Sequence, residues 1–232
     1  MQDVKKQLRA LKRNKKKDNE ESNDWLMTYS DAVTLLMTFL VLLLSVSTID
    51  QSKYDQVVEA IKEGGLDSSK QFVSPFETLK NELVEITELH KLKENMMVTR
   101  QPKGITIELA SSSLYEVGSA DIQQKSLAAL TDVADSIKNF EYKNYQVEIE
   151  GHTDNVAIHT KKFPSNWELS VHRATNIVQH FLQEGVEAQR MKAAGYADTK
   201  PKVPNMDESG KALPENQAMN RRVIIHVVRK ES

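Results

Sequence analysis

Hydrophobic positions fall into three regimes along this chain. From Trp25 to Val46 they form one nearly continuous apolar run, interrupted by Ser30, Asp31, Thr34 and Thr38. About 20 apolar residues suffice to cross a bilayer core as a helix, so the run predicts a membrane-spanning helix over 25–47. From Asp50 to Glu63, Tyr54, Val57, Val58 and Ile61 recur at helical spacing. They predict a short amphipathic helix over 50–65, ended by Gly64 and Gly65. The stretch 66–93 is rich in Ser, Lys and Glu, with weak helical periodicity from Phe76 to Ile86. It reads as a linker with some helix.

The third regime, 94–230, alternates between two periods. Met97 to Leu109 reads as a hairpin turning at Gln101 to Gly104, with Ile105, Ile107 and Leu109 at period two. Leu127, Leu130, Val133 and Ile137 mark an amphipathic helix, and Tyr145 to Glu150 an alternating strand. Leu169, Ala174, Ile177, Val178, Phe181 and Leu182 mark a second helix, stopped by Gly185. Met191 to Tyr196 is a short strand candidate, and Val223 to Val228 an almost wholly apolar last strand. The order β-α-β-α-β predicts an α+β sandwich with helices on one face of a mixed sheet. A segment of this length can bury an adequate core.

Charge gives the span a direction. Lys5, Lys6, Arg9, Lys12, Arg13, Lys15, Lys16 and Lys17 crowd the 1–24 tail, whereas only Lys53 follows closely after the run. Lysine and arginine excess marks the cytoplasmic side, so the N-terminus is expected in the cytoplasm and the 94–230 domain outside it. A cleaved signal peptide is the competing reading; it needs a shorter apolar core and a small-residue cleavage site. A basic tail can also bind nucleic acid, but beside a span the topological reading is preferred. The net charge of −2 gives no reason to expect a nucleic-acid partner. One span cannot enclose a pore, so any ion path must be shared with other subunits. The absence of cysteine excludes disulfides and thiol chemistry.

Asp31 is the first candidate for chemistry. A carboxylate at the centre of a membrane helix costs about 2.5–3.5 kcal/mol on insertion scales. Asp31 lies about 8 Å inside Leu26 at the helical rise, and it can be read as an interfacial helix residue. Thr34 and Thr38 follow on the same helical face. That pattern suits a helix with one side on a polar pathway, and intramembrane acids commonly mark ion or proton paths.

The second candidate is spread over the outer segment. Gly151 to Asn155, containing Thr153 and Asp154, follows directly on a strand. Asn166, Leu169 and Arg173 lie on the next helix, and Arg221 and Arg222 open the last strand. Arginine offers a planar fork to a carboxylate, and aspartate accepts from an ammonium. Together they would suit a zwitterionic amino-acid group; structural salt bridges are the competing reading. His152, His159, His172, His180 and His226 show no metal-binding spacing. No nucleophile motif or phosphate-cradling loop is present, so neither an enzyme nor an ATP site is expected.

These residues carry a family resemblance. Trp25 to Asp31, Leu35 to Ser45, Ile49-Asp50 and Lys53-Tyr54 resemble the start of the B subunit of bacterial flagellar stators of the MotB, PomB and MotS type. Gly151 to Asn155, Asn166 with Leu169-Ser170 and Arg173-Ala174, Gly195-Tyr196 and Asn220 to Val223 resemble the OmpA-like peptidoglycan-binding domain. The resemblance implies that Asp31 is the ion-carrying acid and that 50–65 is a plug. It implies that Asp154 and Arg173 grip the diaminopimelate of peptidoglycan, with Thr153, Asn166, Leu169, Arg221 and Arg222 around the pocket. It further implies a B-subunit homodimer within a ring of four-span A subunits, at the cytoplasmic membrane, with no cofactor. Ser30, Thr34 and Thr38 could supply oxygens along the ion path, and the Leu35–Ser45 stretch looks more like the sodium-type relatives than the proton-type ones. Two other readings stay open: a purely structural wall tether, and a related ion-driven complex outside the flagellum.

Overall fold

A computed structural model describes residues 25–45, 74–142 and 144–230. The basic tail, the plug-like segment with Tyr54, Val57, Val58 and Ile61, and the start of the 66–93 stretch lie outside the described residues. The chain divides into two compact units, Met1–Asp50 and Gln51–Ser232.

In the first unit the apolar run forms helix α1 (Trp25–Ser45), 21 residues long and apolar enough to cross a membrane. The Thr34 and Thr38 hydroxyls donate to the carbonyls of Asp31 and Leu35, at 2.9 and 2.8 Å. Each bond satisfies a polar hydrogen inside the helix, as lipid requires. It also leaves the hydroxyl lone pairs free to accept. Thr28 makes the same bond to Trp25 at 2.9 Å.

The second unit opens with helix α2 (Pro75–Leu89), followed by β1 (Met96–Gln101) and β2 (Gly104–Ala110). A single-turn helix α3 (Ser111–Leu114) and helix α4 (Gln124–Lys138) lead to β3 (Tyr145–Gly151). Helix α5 (Asn166–Gln183), β4 (Met191–Gly195), helix α6 (Pro214–Asn220) and β5 (Arg222–Arg229) complete it. The strands form one sheet in the order β1-β2-β5-β3-β4, with β3 and β4 parallel and the other pairs antiparallel. The last strand therefore enters the middle of the sheet, where its apolar run is used on both sides. The expected hairpin forms with Gln101 opposite Gly104.

Alternation along β3 explains the layering. Tyr145, Val147 and Ile149 are buried, while Gln146, Glu148 and Glu150 are only partly covered. The helices pack on the first set. Leu130, Val133 and Ile137 of α4, and Ile177 and Phe181 of α5, meet Ile105, Ile107, Ile225 and Val227 in one core. Gly185 follows the last turn of α5 with φ of 92°, a left-handed conformation that glycine adopts without the Cβ clash.

Part of the stretch read as a linker belongs to this core. Phe76, Leu79 and Leu83 of α2 are at most 1% exposed. Their spacing is a true helical stripe, but the Lys and Glu residues between them dilute it. Phe76 also closes an aromatic cluster, 4.8 Å edge-on from Phe140 and 5.3 Å from Tyr142. Phe76→Ala should cost about 3–5 kcal/mol of unfolding free energy, as expected for a buried phenylalanine. Urea unfolding of the full chain in detergent measures this. A loss under about 1 kcal/mol would mean α2 is no part of the core.

Candidate functional site

Helix α5 is pressed onto the ends of β3 and β4, and glycines permit the contact. A Cβ on Gly151 would meet the Ser170 carbonyl oxygen at 2.1 Å, and one on Gly195 would meet the Ser170 hydroxyl at 2.6 Å. Ser170 uses that proximity. Its Oγ accepts from the Ala197 N–H at 3.1 Å, and the Ala197 carbonyl accepts from the Thr153 N–H at 2.8 Å. The loop after β3 is thus tied to the helix that carries Arg173.

The N-terminus of α5 is fixed just as firmly. Ser165 caps it, accepting from the Trp167 N–H at 3.2 Å, and Glu168 returns to the Ser165 hydroxyl. Asn166 donates to the carbonyls of Asp154 and Val156 at 3.3 and 3.0 Å. Asp154 in turn accepts from the Val156 N–H at 3.0 Å. Phe163, Leu169 and Ala120 form a small separate core beneath this loop.

These constraints shape a cavity of about 490 Å³. Thr153, Asp154, Asn166, Leu169, Arg173 and Arg221 all line it. Arg222 does not. Arg221 caps the end of α6 and Arg222 opens β5, and the Arg222 guanidinium is buried, donating to the carbonyls of Asn220 and Lys200 at 3.2 Å. Its role is to brace the loop before α6. The sequence reading also missed Tyr115, Val117, Ile158 and Gln217, which line it too. Only their neighbours in the folded chain reveal them; nothing in the Ser111–Gly118 stretch marks a site.

The cavity has a charged end. Asp154 is 6% exposed and pairs with Arg221. Arg173 is 4% exposed, and its Nε donates to the Ser119 carbonyl at 2.8 Å. Among the described residues its terminal nitrogens make no hydrogen bond. Burial pulls the Arg173 guanidinium below its ordinary pKa, while Tyr115 and Asp154 act in the opposite direction. The rest of the lining is largely aliphatic, from Val117, Val156, Ile158 and Leu169. The arrangement can take a carboxylate at Arg173, an ammonium at Asp154 and an aliphatic stem beside them.

Behind the loop, on the sheet face away from the helices, Glu150 lies between two histidines. His152 Nε2 is 3.2 Å and His226 Nε2 3.6 Å from its Oε2. No group of three or more acidic or histidine side chains among the described residues is arranged to hold a metal.

Among the described residues, the fold defines a chain with one membrane-length apolar helix and an α/β domain that carries a cavity. Residues 114–213 match the OmpA family, and residues 11–64 match the family described as "Membrane MotB of proton-channel complex MotA/MotB". A Bacillus subtilis protein called "Uncharacterized protein YtxE" is 34% identical over 92% of this chain and 91% of its own length. "Motility protein B" of the same organism is 25% identical over 94% of this chain and 96% of its own. The solved "cell wall anchor of the T6SS from Pseudomonas aeruginosa" shares the fold with a TM-score of 0.55 and 28% identity, covering 64% of this chain and 97% of that one. The chain belongs to the MotB family, with an OmpA-like C-terminal domain. Neither matched family is a family of enzymes.

Glu150 gives a pH prediction. The His152 hydrogen bond and the nearby His226 imidazole hold its carboxyl well below its ordinary value of 4.5, against the opposing effect of burial. A folded value below the unfolded one stabilises the fold above the unfolded value, and that contribution is lost as pH falls toward the folded one. Glu150→Gln should therefore flatten the loss of stability below about pH 4.5. Urea midpoints across a pH series read this, and an unchanged slope would contradict it.

Proposed function

We propose that this chain is the B subunit of an ion-driven flagellar stator, conducting a cation past Asp31 and anchoring the complex to peptidoglycan. The observation that carries the reading is the pairing, within one chain, of a membrane-length helix bearing a carboxylate and a cavity suited to a zwitterionic amino acid. A wall tether alone has no use for an acid in its span. Membership of the MotB family supports a four-span MotA-type partner, around a dimer of this chain. The basic tail supports a cytoplasmic N-terminus and an outer C-terminal domain.

At the wall, the carboxylate of a diaminopimelate head meets the terminal nitrogens of Arg173. Its ammonium replaces Arg221 at Asp154, and its methylene stem lies against the aliphatic wall. In the membrane, cation binding or proton transfer changes the charge of Asp31. That change biases the fit between helix and partner, giving an ion gradient a two-state element to drive. Sodium is the ion we favour. Thr34 and Thr38 commit their hydrogens to backbone carbonyls, which leaves oxygen lone pairs for a cation on the face that carries Asp31. Ser30 adds a further hydroxyl beside the acid. Residues 50–65 act as the plug that closes the path before the complex joins a motor.

The test is swimming speed against external Na⁺ at fixed pH, in a strain whose only stator contains this chain and its A-type partner. Speed should rise with Na⁺, and Asp31→Asn should abolish motility at equal expression. Swimming independent of Na⁺ with a paralysed mutant would assign the proton instead. Motile Asp31→Asn cells would sink the stator reading. If the wild type restores no swimming, the tether or a non-flagellar motor takes its place.

A further inference from the structure

The free end of Arg173 must be aimed as well as charged, and one short loop does the aiming. Tyr115 and Ile122 form an isolated antiparallel bridge, and the Gln123 N–H donates to the Leu114 carbonyl at 2.8 Å. The stretch between them is thereby closed on itself. From one side of this loop the Tyr115 ring lies 5.0 Å from the Arg173 guanidinium carbon. From the other, the Ser119 carbonyl takes the Nε hydrogen at 2.8 Å. The Tyr115 hydroxyl then donates to the backbone carbonyl of Arg173 at 2.9 Å, fixing the helix from which the side chain grows. Tyr115 itself is 3% exposed and reaches the cavity wall.

We propose that Tyr115 is the positioning residue of the site: its ring and hydroxyl hold Arg173 so that the two terminal nitrogens face the cavity as a fork for a ligand carboxylate. The proposal rests on the reading of the cavity as a site for the free carboxylate of a stem-peptide amino acid. The ring stabilises a cation that burial would otherwise penalise. The hydroxyl, kept protonated because burial raises its pKa, remains a donor. With Nε already bonded and one face covered, the rotamers open to Arg173 are few. A carboxylate then meets a pre-arranged partner and little side-chain freedom is lost on binding.

Affinity is measured by calorimetry on the full chain in detergent, with two probes. One is a muropeptide whose diaminopimelate carries its free carboxylate; the other is the same molecule with that carboxylate amidated. The wild type should prefer the free carboxylate by about tenfold or more, the scale of a charge-assisted pair. Tyr115→Phe keeps the ring and should keep most of that preference. Tyr115→Leu removes both contacts. It should weaken the carboxylate probe by about tenfold more than the amide probe, collapsing the preference. Tyr115→Met, a longer and more adaptable side chain without a π face, repeats the test if thermal melting shows that Tyr115→Leu does not fold. Equal weakening of both probes by these variants would reduce Tyr115 to packing and overturn the proposal. A wild type that binds both probes alike would overturn the carboxylate reading of the cavity, and the proposal with it.

Discussion

A buried guanidinium whose terminal nitrogens make no hydrogen bond among the described residues is the constraint around which the C-terminal domain is organised. Arg173 sits on a helix whose neighbouring turns face the core, and among the described residues only its Nε finds a hydrogen-bond acceptor. Burying a charge is costly unless it is compensated. Here the compensation comes from the face of Tyr115, the carbonyl of Ser119 and the nearby charge of Asp154. The terminal nitrogens, on the cavity side, are left open to an anion.

Asp154 poses the complementary problem, and the fold meets it differently. A buried carboxylate needs a cation, and Arg221 supplies one from the end of α6. Arg221 is the more exposed partner, with 42% of its side chain in solvent. Its guanidinium keeps access to water, whereas Arg173 is 4% exposed. The two charged groups at this end of the cavity thus differ in kind: Asp154 is paired within the domain, and Arg173 lines the cavity with its terminal nitrogens unbonded among the described residues. Both depend on the close approach of α5 to β3, which Gly151 and Gly195 allow.

The sequence carried much of this plan. Asp31 in an apolar run, the hairpin, the β3 strand and the α5 stripe were legible because each rests on local periodicity. Thr153, Asp154, Asn166, Leu169, Arg173 and Arg221 were legible as a set through a resemblance that spans three separate segments. Other features depended on packing. Phe76, Leu79 and Leu83 show a helical stripe, yet the charged residues between them made it look like linker. Arg221 and Arg222 are adjacent in sequence, and only the junction between α6 and β5 decides which of them reaches the cavity. Tyr115 lies in a Ser-rich stretch with no motif; the bridge to Ile122 is what brings it under Arg173. The central place of β5 could not be read from its apolar run alone, which suits any strand covered on both faces.

The most direct measurement is cosedimentation of the full chain with purified peptidoglycan sacculi, comparing the wild type with Arg173→Gln, both checked for matching thermal melting. Pelleting of the wild type while Arg173→Gln stays in the supernatant is the result predicted by a cavity whose anion partner is the Arg173 guanidinium. Equal pelleting of both proteins would contradict it, and would place wall binding on some other surface of the domain.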